Sequence, residues 1–374
     1  MVKYFGVPRE LKEGETRVSL TPDTIGMLDK EEIGVLVEED AGLLAGFKNE
    51  EYIAAGAKIV SAEELWEKAQ YIIKVKEPQP SEYKYFKPEQ VIFSYMHLNV
   101  EKALTEELLK KKVCAIAAET IQEDNGEHPM LRPMSEVAGR FAIQAGAKFL
   151  EKTNNGLGVL LGGIPGVEPA KVVIVGAGVV GTNAAKIAIG VGADVSVLDI
   201  NSKRLANLDL IFGGQVKTHY SNPLTILEEA KKADILVGAV SIVNPNAPKL
   251  ISADVVRQMK KGSVIIDVAI DQGGIVETID RITTHNDPIF EKFGVLHYAV
   301  PNIPSAVPRT ASLGYSYAIL PYLKQMEDIG VIQAIKANEA LGRGVATFRG
   351  SVTNEALANT FGYEHTELSL LVGF

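Results

Sequence analysis

Residues 171–201, KVVIVGAGVVGTNAAKIAIGVGADVSVLDIN, contain an apolar run, three spaced glycines, a helix-patterned segment and a second apolar run that ends in Asp199. This order is typical of a dinucleotide-binding βαβ unit. Gly176 allows a tight turn from strand to helix, Gly178 lets the backbone approach a pyrophosphate, and Gly181 lets the helix pack closely on the sheet. Asp199 stands where an acid accepts hydrogen bonds from a ribose 2′-hydroxyl, and it would repel a 2′-phosphate. The stretch therefore predicts a site for NAD rather than NADP.

The composition limits the class of protein. A chain of 374 residues favours two domains, and 46% hydrophobic with 23% charged residues is a globular balance. The formal net charge of −9 argues against a surface for nucleic acid or anionic membranes. Cys114 is the only cysteine, which excludes an intrachain disulfide and a cysteine-based zinc cluster, and no metal site is predicted.

Hydrophobic segments give an expectation about location. No apolar run approaches the ~20 residues of a membrane span. The N-terminus MVKYFGVPREL lacks the apolar stretch of a signal peptide. We therefore expect a cytoplasmic protein without a membrane partner.

Short β-type runs alternate with helix-patterned segments on both sides of the dinucleotide unit. They are KYFGV, GVLVEE, AKIV, YIIKVK, VIFSYM and CAIAAE before it, and KTHY, DILVGAV, SVIIDVAI and VLHYAV after it. This alternation predicts an α/β protein with two doubly wound, Rossmann-like parallel sheets, the second of six strands. A helix-patterned segment between Met134 and Asn155 is expected to connect the two domains.

The C-terminal region determines the predicted domain organisation. From about Ser305 the chain is helix-rich with little strand signal, and a segment of roughly 70 such residues is too small to fold alone. We expect it to pack on the first domain. The prediction is a discontinuous substrate domain of residues 1–134 and 303–374, and a cofactor domain of residues 135–302, joined by long helices.

Three cationic or titratable residues of the first domain follow predicted strands. Arg17 lies in GVPRELKEGETRV after KYFGV, Lys76 ends YIIKVK, and His97 follows VIFSYM. Because the carboxyl ends of parallel strands open on one edge, where ligands bind, these side chains are predicted to converge. Arg offers a planar fork for a carboxylate, Lys a movable charge, and His a proton donor and acceptor near neutral pH. For each alone the alternative is a solvated surface position, and Lys74 competes with Lys76.

Further candidates lie in the second half of the chain. Asp271 follows the strand run in DVAIDQGG, where an acid would orient water or stabilise a cationic intermediate, and where a turn cap is the alternative. Gly273 and Gly274 would let the backbone approach a ligand. The loop VPNIPSAVP, residues 300–308, carries Asn302 as its only amide side chain and is placed to touch the nicotinamide. Ser135, at the start of the connecting helix, is a candidate for a hinge or a nicotinamide contact.

Long motifs cover the chain from end to end. They are GVPRELKEGETRV, KVKEP, MHL, PMSEVAGR, GVLLGGIPGVEPAKVVIVGAGVVGTNAAKIA, LDIN, APKL, GSVIIDVAIDQGG and VPNIPSAVPRT. Through them the chain resembles the family of bacterial-type alanine dehydrogenases, whose superfamily includes the NAD-binding component of transhydrogenase. The resemblance implies reversible, NAD-dependent oxidative deamination of L-alanine to pyruvate and ammonium by a homohexamer. The chain departs from the family pattern at Ile303, where Met is usual, and near Ser241, where the family has Leu-x-Pro-Gly.

The resemblance also implies a role for each candidate. Arg17 and Lys76 would hold the substrate carboxylate and carbonyl, and His97 would be the general acid/base. Asp271 would position water and stabilise the iminium and carbinolamine steps. Ser135 would contact the pyrophosphate or nicotinamide side. The other implied cofactor contacts are Gly176, Gly178, Val179, Gly181, Asp199, Ser221, Val240, Ser241, Val268, Ala269, Ile270, Val300, Pro301, Asn302 and Ile303.

Two other functions stay open at this point. One is an NAD(H)-binding module of a transhydrogenase-type complex; Lys76 and His97 argue against it, because hydride exchange between nucleotides needs no amino-acid site. The other is a saccharopine dehydrogenase-like enzyme, which needs room for a long dicarboxylic substrate. The choice among alanine, serine, 2-aminobutyrate and glycine also stays open, since one methylene in a pocket discriminates by only about 1–3 kcal/mol.

Overall fold

The computed structural model describes residues 3–29, 33–240 and 249–373. The chain divides into two compact units, Met1–Met134 with Ser305–Phe374, and Ser135–Pro304. Each unit is built on one mostly parallel sheet with helices, so the predicted α/β class with two doubly wound sheets is confirmed. None of the helices in these residues is long and apolar enough to cross a membrane.

The secondary structure follows the alternation in the sequence. The strands are β1 (Lys3–Val7), β2 (Ile33–Glu38), β3 (Lys58–Val60), β4 (Tyr71–Ile73), β5 (Val91–Ser94), β6 (Cys114–Ala117), β7 (Lys171–Val175), β8 (Asp194–Asp199), β9 (Val216–Tyr220), β10 (Ile235–Gly238), β11 (Val264–Asp267), β12 (Ile289–Lys292), β13 (Val295–Tyr298), β14 (Val345–Phe348) and β15 (Ser351–Val352). The helices are α1 (Pro22–Gly26), α2 (Asn49–Ala54), α3 (Ala62–Lys68), α4 (Lys102–Lys110), α5 (Leu131–Phe149), α6 (Val179–Gly190), α7 (Ser202–Phe212), α8 (Pro223–Ala230), α9 (Ala253–Arg257), α10 (Pro308–Ala337), α11 (Glu339–Arg343), α12 (Glu355–Phe361) and α13 (Leu368–Val372).

The first unit has an eight-stranded sheet in the order β15-β14-β6-β5-β4-β1-β2-β3. The chain adds β2 and β3 on one side of β1, then β4, β5 and β6 on the other, all parallel. The order of addition therefore reverses between β1 and β4. Loops that follow strands on the two sides of such a reversal diverge and leave a crevice for a ligand.

Two strands of the first unit were not predicted. The C-terminal region, expected to be helical, also forms β14, antiparallel to β6, and β15, antiparallel to β14. They are short, and Arg349 and Gly350 between them have φ of 49° and 90°. Positive φ at both central residues is typical of a two-residue hairpin turn, which Asn-Gly usually signals and Arg-Gly does not.

The C-terminal region also fixes the loop that carries Arg17. On α10, the Ser312 Oγ accepts the N–H of Val18 at 3.0 Å, and the Ser316 Oγ accepts the N–H of Thr21 at 3.0 Å. Residues of α10 bury apolar side chains in the same core cluster as β1, β4 and β5. The loop between β1 and α1 is therefore held against a rigid helix rather than left in solvent.

The second unit has a seven-stranded sheet in the order β12-β13-β11-β10-β7-β8-β9. The six predicted strands are all present and parallel. A seventh, β12, pairs antiparallel with β13 at the edge. The order of addition reverses between β7 and β10, next to the glycine-rich turn after β7. This reversal is where a doubly wound sheet binds a dinucleotide.

Candidate functional site

The three glycines after β7 play different roles. A Cβ on Gly176, whose φ is 110°, would lie 2.5 Å from the carbonyl oxygen of Ala239, and one on Gly181 would lie 1.8 Å from the carbonyl oxygen of Gly176. At these two positions the protein itself excludes a side chain. A Cβ on Gly178, in contrast, would meet no atom within 4 Å. The open space at Gly178 is the cradle that a pyrophosphate would fill.

Helix α6 supplies hydrogen-bond donors at this cradle. Gly178 is its N-cap residue, and the first bond within the helix runs from the N–H of Thr182 to the carbonyl of Gly178. The N–H groups of the first turn, beginning with Val179, therefore point out of the helix end, where the helix dipole also favours an anion. The described residues thus fit a dinucleotide at the predicted place.

Asp199 at the end of β8 is 7% exposed and holds the glycine turn. Its Oδ2 accepts the N–H of Ala177 at 2.7 Å, and its Oδ1 accepts the N–H of Asn201 at 2.7 Å. The Nη1 of Arg204 lies 3.8 Å from Oδ2. Asp199 therefore has a structural role that the sequence did not reveal, in addition to the predicted contact with a ribose.

The other predicted cofactor contacts cluster after neighbouring strands. The N–H of Ser221 donates to the carbonyl of Asp199, and the Cγ2 of Val240 lies 3.1 Å from where a Cβ of Gly176 would stand. Val268, Ala269 and Ile270 follow β11, and Val300, Pro301, Asn302 and Ile303 follow β13, with Asn302 at a φ of 56°. Ser135 lies within α5. Ser241 lies outside the described residues.

The acidic residues after β11 separate into two roles. Asp267 is buried, and its carboxylate accepts the N–H groups of Ala269, Ile275 and Val276 at 3.1, 2.7 and 3.2 Å. Burial raises the pKa of Asp267 to about 6. Asp271 lies exposed in the 3-10 turn Ile270–Gln272 that follows. Asp267 is therefore a structural acid, whereas Asp271 is exposed to solvent.

Gly274 has a structural explanation that the sequence did not suggest. Its φ is 67°, and a Cβ there would lie 2.6 Å from the Oδ2 of Asp267. Glycine is required at this position because the buried carboxylate lies against the backbone. Close approach of a ligand at Gly273 and Gly274 stays a prediction.

In the first unit, Lys76 and His97 are brought together. The Nζ of Lys76 lies 3.4 Å from the Nε2 of His97, because β4 and β5 are adjacent parallel strands. Lys74, the competing candidate, is fully buried, with its Nζ 3.2 Å from the Oε2 of Glu10 and 3.1 Å from the Oε1 of Glu82. Lys74 is therefore held by two carboxylates, and Lys76 is the lysine that reaches the crevice.

Arg17 is buried rather than solvated, with 3% of the residue exposed. Its Nε donates to the Oε1 of Glu15 at 2.7 Å and its Nη2 donates to the Oε2 at 2.6 Å. Its Nη1 contacts the Sδ of Met134 at 3.1 Å. The edge of the guanidinium formed by Nε and Nη2 is thus committed to Glu15.

Electrostatics links the three side chains. Loss of hydration, followed by the charge of Lys76, lowers the pKa of His97 to about 4. Loss of hydration, followed by the charges of Arg17 and Lys12, lowers the pKa of Lys76. His97 also experiences the charge of Arg17. Lys76 and His97 are thus in contact, as predicted, and the charge of Arg17 acts on both of them. At neutral pH the His97 ring is neutral and able to accept a proton.

An ion pair at this crevice was missed by the sequence analysis. The Nζ of Lys12 bonds the Oε1 of Glu77, which is 3% exposed. Both charges act on His97 and Lys76. Lys12 lies in the motif GVPRELKEGETRV and Glu77 in KVKEP, but no local pattern shows that they meet. Within residues 3–29, 33–240 and 249–373, no cluster of three or more His, Cys, Asp or Glu side chains could hold a metal ion.

Comparison with known proteins covers both units. Residues 6–138 match the alanine dehydrogenase/PNT N-terminal domain, and residues 142–355 match the C-terminal domain of the same family. An alanine dehydrogenase of Methanococcus maripaludis is 53% identical over 97% of this chain and 97% of its own length. A solved L-alanine dehydrogenase is 44% identical, with a TM-score of 0.92 over 96% of this chain and 99% of that one. A transhydrogenase from Sinorhizobium meliloti is 23% identical with a TM-score of 0.79 over 95% of this chain and 100% of that one, which shows a shared fold alone.

Proposed function

The chain belongs to the alanine dehydrogenase/PNT family, and we propose that it catalyses the reversible, NAD-dependent oxidative deamination of L-alanine to pyruvate and ammonium. The observation that carries the proposal is the pairing of Lys76 with His97 at 3.4 Å, within the electrostatic influence of Arg17. A cation that binds carboxylate, a second cation and a proton acceptor are the groups that an amino-acid substrate needs.

The cofactor would be held at the carboxyl ends of β7, β8, β10, β11 and β13. Gly178 and Val179 would bind the pyrophosphate, and Asp199 the adenosine ribose. When bound, NAD⁺ supplies the acceptor for the hydride that leaves the Cα of alanine. The preference for NAD over NADP follows from the carboxylate of Asp199, since it would repel a 2′-phosphate.

Substrate binding follows from the charges of the first unit. Arg17 would orient the substrate carboxylate through Nη1 and Nη2, while Glu15 balances the arginine charge. Lys76 has a lowered pKa and is the cation beside His97. It would hold the carbonyl oxygen of pyruvate and stabilise negative charge that develops there.

His97 would move the protons of the hydrolytic half of the reaction. Oxidation of the neutral amine leaves an iminium, which the carboxylate of Asp271 would stabilise. Neutral His97 accepts a proton as water adds to the iminium carbon and forms a carbinolamine. The imidazolium then returns that proton to the amino group. As the C–N bond breaks, the hydroxyl group of the carbinolamine gives its proton to His97 and becomes the carbonyl of pyruvate. Ammonia leaves and takes up that proton from His97, through water, to form ammonium.

The test is a single assay in both directions, in which NADH absorbance is followed. NAD⁺ with L-alanine should form NADH, and NADH with pyruvate and ammonium should consume it. The oxidative direction should be faster at alkaline pH, because alanine must lose its ammonium proton before the hydride leaves. NADH binding without turnover of any small amino or keto acid would support the transhydrogenase-type module instead. Turnover only with lysine and 2-oxoglutarate would support a saccharopine dehydrogenase.

His97→Ala gives the matched control for the assay. It should lower kcat by about 10²–10⁴-fold, the usual contribution of general acid–base catalysis, while NADH binding stays intact. Homohexameric assembly, which the resemblance implies, and a cytoplasmic location belong to the same proposal. Light scattering coupled to gel filtration measures the former, and cell fractionation the latter.

A further inference from the structure

The three substrate-site residues of the first unit share a backbone feature. In each case one glutamate carboxylate accepts the N–H group of the site residue and the N–H group of the residue before it. The sets are Glu15 with Thr16 and Arg17, Glu10 with Val75 and Lys76, and Glu119 with Met96 and His97. The recurrence at three separate loops points to a common purpose.

Glu119 holds His97 in a strained conformation. The N–H of His97 donates to the Oε1 of Glu119 at 2.6 Å, and the N–H of Met96 donates to the Oε2 at 3.0 Å. His97 has a φ of 47°, in the left-handed region that residues with a side chain rarely adopt. Such a conformation persists only where the surroundings enforce it. The two bonds that Glu119 accepts from the backbone supply that constraint and so set the direction in which the imidazole leaves the backbone.

Glu10 acts in the same way on Lys76. The N–H of Val75 donates to the Oε1 of Glu10 at 2.6 Å, and the N–H of Lys76 donates to the Oε2 at 3.3 Å. The same carboxylate lies 3.2 Å from the buried Nζ of Lys74. Lys74 thus holds Glu10, and Glu10 holds the backbone from which Lys76 reaches His97.

Glu15 holds both the backbone and the side chain of Arg17. Its Oε1 accepts the N–H of Thr16 at 3.1 Å and the N–H of Arg17 at 2.9 Å, in addition to the bonds from the guanidinium. The guanidinium cannot turn without breaking bonds to a carboxylate that is itself fixed by the backbone. The edge offered to a substrate therefore has one orientation.

We propose that Glu10, Glu15 and Glu119 are positioning residues of the substrate site, each fixing the backbone from which one site residue extends. A carboxylate is suited to this because its bonds to N–H groups are stronger than those of a neutral acceptor. Misplacement of a reacting group by about 1 Å can lower the rate about 10²-fold. The proposal rests on the proposed function, because its first readout is enzymatic activity. A second readout, an NMR titration, needs no turnover.

The experiment compares glutamate-to-glutamine variants in the full chain. Glu119→Gln and Glu10→Gln keep the shape of the side chain but replace one acceptor with an amide that faces an N–H group. Each should lower kcat by about tenfold or more. Glu15→Gln should mainly raise KM for alanine and pyruvate, since it loosens the carboxylate-binding arginine. All three should bind NADH as the unmodified protein does.

Glu38→Gln is the matched control. Its Oε2 accepts the N–H of Arg9 at 2.8 Å in the same unit, but that bond holds none of the three site residues. It should leave kcat and KM within twofold of the unmodified values. If Glu38→Gln and Glu119→Gln changed kcat and KM equally, Glu119 would contribute only to the stability of the fold, and the proposal would be overturned.

An NMR titration of ¹³C-labelled histidine provides the second readout, with His97→Ala to assign the signal. The titration of His97 should move upward from about 4 in Glu119→Gln, because a loosened ring regains water. An unchanged titration and an unchanged kcat would together overturn the proposal. Absence of turnover in the unmodified protein, with the shift present, would instead contradict the proposed function alone. If Glu119→Gln does not fold, the kcat of Glu10→Gln tests the proposal instead. An unchanged kcat in that variant would then overturn it.

Discussion

The Nζ of Lys76 lies 3.4 Å from the Nε2 of His97, so the two site residues compete for positive charge. When Lys76 is protonated, a proton on His97 is disfavoured, and the imidazole stays neutral over the physiological range. Desolvation contributes more than Lys76 to the low pKa of His97, which is about 4. Over the physiological pH range the pair therefore consists of a neutral imidazole, which can accept a proton, and a lysine cation beside it.

The charge of Lys76 can be tested through the pKa of its neighbour. His97 also experiences Lys12 and Arg17, which lower its pKa, and Glu77, which raises it. Removing one cation in Lys76→Met should raise the pKa of His97, and kcat should fall because the carbonyl loses its cation. Histidine NMR and the pH dependence of kcat measure the two effects. Lys68→Met, on the exposed face of α3, is the control, and a His97 titration that does not move would contradict the pairing.

Arg17→Lys should raise KM for alanine and pyruvate by about tenfold or more. An ammonium group cannot bind Glu15 through two bonds and also present a second edge to a carboxylate. The loss should appear in KM more than in kcat, and the Kd for NADH should stay unchanged. Steady-state kinetics and NADH fluorescence titration measure these values. An unchanged KM would exclude Arg17 from substrate binding.

Gly178→Ala tests whether the open space at Gly178 binds the pyrophosphate of the cofactor. A Cβ there meets no protein atom, so the variant should fold with an unchanged thermal midpoint. It should nevertheless weaken NADH binding by about tenfold or more, because the methyl group occupies the place of the pyrophosphate. Gly190→Ala, in the same helix and also with open space at its Cβ, is the matched control and should bind NADH normally. Equal Kd values for the two variants would remove the cradle from the cofactor site.

Cofactor choice should depend on Asp199. The unmodified protein should use NAD⁺ at least about tenfold better than NADP⁺ in kcat/KM, equivalent to about 1.4 kcal/mol. Asp199→Asn should narrow the gap, since it removes the charge while Arg204, 3.8 Å away, becomes available to a 2′-phosphate. Asp209→Asn, an exposed position of α7, should not change the ratio. Equal use of both cofactors by the unmodified protein would show that Asp199 does not select between them.

His297 should make the stability of the second unit depend on pH. It is fully buried, accepts a hydrogen bond from Thr278 at 2.7 Å, and has its pKa lowered to about 4 by loss of hydration. Between pH about 6.5 and 4 the unfolded chain binds a proton that the folded chain does not, so the free energy of unfolding falls as the pH falls through this window. The full effect is about 3 kcal/mol.

Denaturant unfolding at pH 7 and pH 5 measures this contribution. His297→Gln, which does not titrate, should reduce the pH dependence relative to the unmodified protein. Gln258→Ala, at an exposed position of the same unit that carries no titratable group, should leave it unchanged. A pH dependence that is the same in all three proteins would contradict a neutral, buried His297.

The local sequence pattern was sufficient to predict an element where the residues of that element themselves determine its structure. The glycine turn after β7 and the runs of apolar residues in parallel strands read directly from the sequence, because each needs a residue type at a fixed spacing. The contact of Lys76 with His97 followed from the rule that the carboxyl ends of parallel strands share an edge. β12, β14 and β15 were missed because their antiparallel pairings depend on tight turns, and neither Phe293-Gly294 nor Arg349-Gly350 is a usual hairpin signal.

Long-range contacts could not be read in this way. Glu10 and the N–H of Lys76 are 66 residues apart, and Glu119 and the N–H of His97 are 22 apart. A carboxylate that accepts backbone N–H groups leaves no periodicity. For the same reason Lys74 and Lys76 could not be separated by sequence, since only the buried partners Glu10 and Glu82 distinguish them.

The pairing of β14 with β6 has a consequence for synthesis on the ribosome. Residues 135–304 emerge as a unit whose seven strands are all present, whereas the earlier sheet still lacks β14 and β15 and the helix α10. Until the last residues are made, β6 is an open edge with unpaired backbone groups, which can pair with another chain. The N-terminal portion of the nascent chain therefore keeps an edge open to pairing with another chain, although it is the first portion to be translated.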